Sequence, residues 1–310
     1  MTISIVLATY NGAQYIEEQL DSIAHQTLPP DELIICDDRS TDNTVEVVTN
    51  YINLHNLTDK WKIIVNETNL GYADNFDKVS NLATRDLIFF SDQDDTWRLD
   101  KISIMSEIME SHDDCQVLCT DYFPWYDSVD APKAPKSTLK KMPDNNLLEK
   151  INLSKQSVYI GALGCCMCVR REFYSRISEY FFEGWAQDDR MWKMSQCADG
   201  CYILHSNLVN HRIHGHNTAT YGKYHTIERR VKLFTDMLLA DKQMLKYIST
   251  TTVSNKGATI LRKHIEMMQL RIDLLSNKKY FNVLSLIKYI PYYEKKKSYA
   301  VDFLMAIRGQ

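Results

Sequence analysis

The chain has 310 residues, 45% of them apolar and 25% charged, an ordinary globular composition long enough for one large domain or a domain with an appendage. A net charge of −4 and the lack of an extended polybasic block before the C-terminus leave no electrostatic footprint for nucleic acid. MTISIVLATY lacks the charged start and long apolar centre of a signal peptide, and no run approaches a membrane span, so a cytoplasmic protein is expected.

Ile3 to Ala8 is a β-branched apolar run, read as a strand that ends at the Asn11-Gly12 turn. Gln14 to Gln26 follows with Ile16, Leu20 and Ile23 at helical spacing, closed by Pro29-Pro30. Leu33 to Cys36 reads as the second strand, breaking into Asp37-Asp38-Arg39-Ser40-Thr41-Asp42. Ser40 or Thr41 is placed to cap a helix through Val45, Val48 and Ile52. Trp61 to Val65 is a third strand, and Asn69-Leu70-Gly71 turns into a helix from about Ala73 to Leu82.

Leu87-Ile88-Phe89-Phe90 then breaks without a spacer into Ser91-Asp92-Gln93-Asp94-Asp95. The apolar run predicts a buried strand with three carboxylates at its end. Asp92 and Asp94, two apart, share a side in extended chain and could share a hard divalent cation. The same aspartates could equally cap the next helix. Four strands alternating with helices predict a parallel α/β sheet, whose ligands lie beyond the carboxyl ends of the strands. Thr9, Asp37, Asp38, Asn69, Asp92, Asp94 and Asp95 all fall there. The first strand is followed by no glycine-rich phosphate loop, so a dinucleotide or Walker-type site is not expected.

Asp100 to Glu110 reads as a helix, Val117 to Thr120 as a short strand, and Phe123 to Asp144, with four prolines, as a long loop of the kind that covers substrates. In YIGALG (159–164) the small residues would let the backbone approach a ligand, or equally serve close packing, ahead of a strand from Cys165 to Val169. Asp188 and Asp189 stand in the first turn of a helix towards Cys197, where the helix dipole favours negative charge. Cys201 to Leu204 reads as a strand, and the polar cluster His211-Arg212-Ile213-His214-Gly215-His216 suits an anion or a metal, or is a plain polar loop. The eight cysteines lack paired zinc spacing and are expected to be reduced, buried small hydrophobes. From Tyr224 onward helical spacing dominates. Its last part mixes tyrosines with Lys278, Lys279, Lys288 and Lys295 to Lys297, which fits a soluble bundle or a membrane-surface element.

The motifs ATYNG (8–12), ICDDRSTDNT (35–44), NLGYADNF (69–76), SDQDDTW (91–97), QDDR (187–190) and HRIHGHN (211–217) occur in the order seen in family 2 glycosyltransferases. Over about residues 1–220 the chain resembles that family, most of all bacterial rhamnosyltransferase-type enzymes of surface polysaccharide (capsule, O-antigen) assembly. The resemblance implies a GT-A fold, α/β with a mostly parallel sheet flanked by helices. It implies a catalytic domain over 1–222, with a nucleotide-binding half over about 1–100 and an acceptor half over about 101–222, and a helical C-terminal region over 223–310. It assigns Thr9, Tyr10 and Asn11 to the first nucleotide contacts and Asp38 to the base, with Asp37 and Asn69 beside it. Asp92 goes near the ribose, and Asp94 goes to a Mn2+ or Mg2+ ion shared with Asp92 and His214. Asp189 is the implied catalytic base with Asp188 as the other candidate, Arg212 lies near the diphosphate, and Trp97 packs the site floor.

The implied reaction moves a sugar from a nucleoside-diphosphate donor to a hydroxyl of a saccharide, expected to be lipid-linked, with inversion. Peripheral contact with the inner face of the plasma membrane through the C-terminal helices goes with such an acceptor. A glycoside hydrolase would also use two carboxylates, but it leaves the strand-end series without a role. A sugar nucleotidyltransferase or a non-enzymatic scaffold are the remaining readings.

Overall fold

The structure, a computed structural model, describes residues 1–134, 139, 142–215, 226–251 and 255–308. His216 and Asn217 of the HRIHGHN motif, the expected boundary at 222, the helix start at Tyr224 and Pro135 of the long loop lie outside the described residues. The chain divides into two compact units.

The first unit comprises Met1–Ile151, Ala162–Ser195 and Gly200–Thr218. It holds one sheet in the order β3-β2-β1-β4-β8-β6-β9-β5, with β7 paired to β9. The parallel part joins β1 (Ile3–Thr9), β2 (Glu32–Asp37), β3 (Trp61–Val65) and β4 (Leu87–Ser91) through α1 (Ile16–Ala24), α2 (Thr44–Leu54) and α3 (Tyr72–Ser80). Every residue of β1 and β4 is buried, as expected of strands covered on both faces. Ile3, Ile5 and Leu7 join Ile16, Leu20 and Ile23 of α1 in the core.

Register aligns the strand ends: Thr9 stands opposite Asp37, and Leu7 opposite Ser91. The chain steps from β1 outward to β2 and β3, then returns to the other side of β1 as β4. That reversal opens a crevice between the ends of β1 and β4, where open α/β sheets bind ligands.

Beyond β4 the sheet is mixed. Antiparallel β8 (Met167–Arg170) separates β4 from β6 (Val117–Tyr126). Strand β6 runs to Tyr126, so the expected loop loses its first four residues to the sheet. Strand β9 is Cys201–Ile213, not the four residues expected. Its polar residues hid its length, because β9 pairs with β6 through register shifts on either side of Asp121. Strands β5 (Thr96–Trp97) and β7 (Leu148–Lys150) and helix α5 (Arg171–Ile177) are short elements that periodicity did not reveal. Helices α4 (Lys101–Ser111) and α6 (Gln187–Cys197) lie where they were expected.

The second unit comprises Asn152–Gly161, Gln196–Asp199 and Ala219–Gln310. It takes in two segments that the sequence would give to the catalytic domain. Its helices are α7 (Ile227–Thr250), α8 (Asn255–Ser276), α9 (Asn282–Leu286) and α10 (Lys297–Arg308). Its core gathers Phe234, Leu238, Met267, Met268, Leu286, Tyr289 and Tyr293. Among the described residues no helix is long and apolar enough to cross a membrane.

Candidate active site

The loop after β1 is shaped by a residue the sequence reading passed over. Gln93 Oε1 accepts from Thr9 Oγ1 (2.6 Å) and from the Tyr10 amide (2.9 Å), while Gln93 Nε2 donates to Tyr10 O (3.1 Å). A Cβ on Gly12 would stand 2.3 Å from that Oε1, so the glycine keeps room for the clamp. Asn11, with φ of 49°, donates its amide to Ser40 Oγ and accepts from the Thr41 amide (2.8 Å). Ser40 and Thr41 therefore bridge loops, and the residue ahead of α2 is Asn43, contrary to the expected cap.

Asp37 is fully buried and accepts from the Ser40 amide. Asp38 Oδ1 accepts from Asn66 Nδ2 and the Leu70 amide, and its Oδ2 from the Gly71 amide, all at 2.8 Å. Both oxygens are thus engaged in tying the turn before α3, a turn Asn69 closes by donating to Asp38 O.

At the end of β4 the crowding of carboxylates dominates. Burial, followed by the charges of Asp95 and Asp94, pushes Asp92 up to about 8. Asp94 Oδ2 lies 2.8 Å from His214 Nε2, and its carbonyl accepts from Arg212 Nε (2.8 Å). Asp95 is buried and accepts from His211 Nδ1 (2.9 Å) and the Arg212 amide (3.0 Å). Burial would raise Asp95, but His211 holds it below the usual range; in return Asp95 lifts His211 to about 9 against its own burial. These contacts exist because β5 pairs with Val209 and Asn210 of β9, which carries the His211–His214 stretch alongside SDQDDTW.

The Arg212 guanidinium lies over Trp125 (3.8 Å to the ring centre) and Tyr15 (4.8 Å), paired with Glu18 and with Asp127 at 3.4 Å. His214 stacks on the same Tyr15. Glu18, Tyr15 and Asp127 had no signal in the sequence beyond their polarity. Trp97 packs in the core against Phe89, with Lys101 Nζ 3.5 Å over its ring.

The two aspartates that open α6 differ in setting. Asp189 Oδ2 accepts from Trp185 Nε1 and Lys193 Nζ, each at 2.8 Å; its Oδ1 carries neither bond. Asp188 Oδ1 accepts from the Asp189 amide, and burial, then Asp189, pushes Asp188 up to about 6. Its charge also acts on Asp92, so α6 and the end of β4 share one electrostatic neighbourhood. A Cβ on Gly164 would meet Gln187 Nε2 at 2.7 Å and Asp188 Cβ at 3.4 Å. The small residue thus admits the start of α6, which is the close-packing use of the two expected for it. Tyr159, from the same stretch, belongs to the helical unit and contacts His264 there.

All eight cysteines are buried and unpaired. Cys165 lies with Asp95 and His211 in a group whose ligand atoms are within 4.8 Å of one another. The Asp95–His211 bond ties this group into a hydrogen-bonded network. Asp94 and His214, a hard oxygen and an imidazole, meet at 2.8 Å with carboxylate charge around them, but the described residues do not gather Asp92 into one ligand cluster with that pair.

A crevice at the sheet's reversal point, rimmed by carboxylates from β4 and α6 and by cations from β9, lies where an open α/β enzyme binds its ligand. A sequence profile of glycosyl transferase family 2 matches residues 4–177, more than half the chain, and the protein belongs to that family. It is 28% identical over 243 residues to an uncharacterized glycosyltransferase of Nostoc sp., covering 75% of this chain and 71% of that one. It is 24% identical to the UDP-Gal:alpha-D-GlcNAc-diphosphoundecaprenol beta-1,3-galactosyltransferase of Escherichia coli, covering 64% and 68%. Other curated relatives are matched over less than half their length. The crystal structure of Staphylococcus aureus TarS 1-349 in complex with UDP-GlcNAc superposes with a TM-score of 0.61 at 17% identity, covering 100% of this chain and 93% of that one. The fold is GT-A, as the resemblance implied, and the protein is a glycosyltransferase.

Proposed function

We propose that this glycosyltransferase is an inverting, cation-dependent enzyme of bacterial surface polysaccharide synthesis. It moves a sugar from a nucleoside diphosphate to a hydroxyl of a lipid-linked saccharide at the membrane face. The observation that carries the reading is the carboxylate excess at the sheet's reversal point, where Asp92 is held near 8 by burial and by Asp95 and Asp94. Such charge suits a site completed by a cation and a diphosphate. The acceptor class follows the E. coli relative, whose named acceptor is a sugar diphosphoundecaprenol. The residues 1–222 form the catalytic part in this reading.

Asp94, with Asp92 and His214, would hold Mn2+ or Mg2+, which when bound supplies positive charge to the departing diphosphate. The chain's own residues do the rest. Thr9, Tyr10 and Asn11, fixed by Gln93 and Ser40, line the nucleotide side. Asp37, Asp38 and Asn69 shape the base-side loop through the ties described above. Arg212, held over Trp125 and Tyr15, adds fixed positive charge beside Asp94. Asp189, oriented through Oδ2 by Trp185 and Lys193, takes the acceptor proton on Oδ1 as the acceptor oxygen bonds to the anomeric carbon. The old bond's electron pair leaves with the diphosphate, and attack from the opposite face inverts the centre. Asp188, between Asp189 and Asp92, is the alternative base.

The test is transfer to a synthetic saccharide-diphospholipid with dTDP-rhamnose, UDP-galactose and UDP-glucose in turn, each with Mn2+ or Mg2+, and NMR of the new anomeric centre. One donor should be turned over with inversion, and Asp94→Ala should abolish turnover. Retained configuration, or full activity with chelator present, would overturn the reading.

A further inference from the structure

The last helices of the second unit expose what helices of a folded unit ordinarily bury. On α10 the inward positions are Asp302 and Ala306, buried in the unit. The outward positions Val301, Leu304 and Ile307, spaced as one helical face, are 38%, 48% and 57% exposed. One segment earlier, Phe281, Leu284 and Ile287 repeat the pattern at 87%, 68% and 52%. Tyr299 Oη donates to Val283 O (3.0 Å), which ties α10 to α9. Phe281 at 87% exposure stands clear of its neighbours, so it forms no wall of a groove for a peptide.

Charge says what covers these side chains. Between 278 and 308 the sequence has seven cations, Lys278, Lys279, Lys288, Lys295, Lys296, Lys297 and Arg308, against Glu294 and Asp302, in a chain of net charge −4; Lys279, Lys288 and Lys295 pair with Asp273, Glu266 and Glu294. Asp302 is buried between Arg230 and Arg271, so it offsets nothing outside. Lys295 to Lys297 lie at the start of α10, the end where the helix dipole disfavours cations, and no acidic side chain stands in its first turn. Neither Lys296 nor Lys297 makes an ion pair with another described residue. A cavity of about 290 Å³ is lined by Lys155, Lys263, Lys288, Tyr289 and Tyr292, with Glu266 as its one acid. Lys288 links it to the exposed turn of Ile287.

We propose that α9 and α10 dock this protein on an anionic phospholipid bilayer. The exposed apolar side chains enter the headgroup boundary, the lysines meet the lipid charge, and the Lys155–Lys263–Lys288 cavity takes a headgroup phosphate. The proposal names the surface behind the membrane-face reading given above and rests on it. A second copy of the chain is disfavoured as the occupant, because a two-fold pairing of this face would bring its lysines against their own like charges.

Co-sedimentation of the full chain with vesicles tests it. Binding is expected to phosphatidylcholine vesicles containing phosphatidylglycerol, to fall with added salt, and to be weak on phosphatidylcholine alone. Replacing Lys296→Gln and Lys297→Gln together should lower partitioning about thirty-fold. Leu304→Ser with Ile307→Ser should lower it comparably, and Lys155→Gln by a smaller factor. All are exposed or cavity-lining positions, and unchanged thermal unfolding will show the variants folded. Equal binding to both vesicle types, binding to neither, or a dimer in sedimentation that the Leu304/Ile307 variant dissolves, would each overturn the proposal. Donor hydrolysis without vesicles, which these variants should leave unchanged, reports on the glycosyl-transfer reading separately.

Discussion

Two regions of this protein bury several charged groups, and they do so in opposite ways. In the helical unit each buried acid has a basic partner: Asp302 bonds Arg230 (2.6 Å) and Arg271 (2.8 Å), and Asp241 bonds His264 (2.6 Å) through Oδ2, its Oδ1 alone lacking a hydrogen bond. Arg271 is further packed on Phe234 and Tyr293. In the crevice of the sheet unit, Asp92, Asp94, Asp95, Asp188 and Asp189 share the neighbourhood of His211, Arg212, His214 and Lys193, and the acids are in excess. A matched network needs nothing more to be stable, whereas a mismatched one holds folding energy in reserve for a ligand that completes it. The position of the imbalance therefore points to function more directly than the number of charges does.

The largest effect that would test this contrast is on the matched side. Asp302→Ala leaves two arginines, one of them 5% exposed in its side chain, without their common partner. It should cost about 3–5 kcal/mol in denaturant unfolding. A loss under 1 kcal/mol would mean the network is not what orders the helical unit.

On the mismatched side a cation should stabilise instead. At about 100 times its dissociation constant, Mn2+ should add about 2.7 kcal/mol to unfolding of the wild type and nothing to Asp94→Ala. Because Asp92 sits near 8, it is largely protonated at neutral pH, and the cation must displace that proton. Cation affinity should therefore rise with pH up to about 8. A pH-independent affinity would remove Asp92 from the ligand set.

The contrast was half legible in the sequence. The apolar run Leu87 to Phe90 breaking into aspartates announced a strand end, because burial on both faces leaves an unmistakable composition. The parallel order and the convergence of Thr9, Asp37 and Asp92 followed from alternation and right-handed crossovers alone. What stayed hidden was whatever depends on pairing. Strand β9 continues through Asn207, Asn210 and His211, whose polarity mimics a loop, since edges and bulges tolerate residues that a core strand does not. Gln93, to which the sequence attached no role, proves to be the clamp of the first loop. Glu18 meets Arg212 across 194 residues, and such a pair leaves no local pattern in a single chain.

A smaller effect concerns Asp188. Its folded value, about 6, lies above the ordinary 3.8, so the folded state resists its ionisation. Between those values the folded protein binds more protons than the unfolded chain, and stability falls as pH rises through the window. The cost is absent below about pH 4 and complete by pH 7. Asp188→Asn, which keeps an oxygen for the Asp189 amide, should be more stable than wild type by about 1–3 kcal/mol at pH 7, with the gain vanishing near pH 4. A gain that persists at pH 4 would be steric in origin.

The smallest effect sharpens the comparison at the nucleotide side of the crevice. Gly12→Ala sets a methyl 2.3 Å from Gln93 Oε1, and the flexible amide must swing away, releasing the Thr9 and Tyr10 bonds. Each released bond is worth about 1 kcal/mol or less, and Gln93→Ala alone removes the same bonds. The double variant should therefore cost little more than either single change, with a coupling of about 1 kcal/mol in a double-mutant cycle read by thermal unfolding. Additive losses would mean that Gly12 is required for its own backbone rather than for Gln93. The first loop would then owe its shape to the Asn11 turn, and Gln93 would be left facing the ligand.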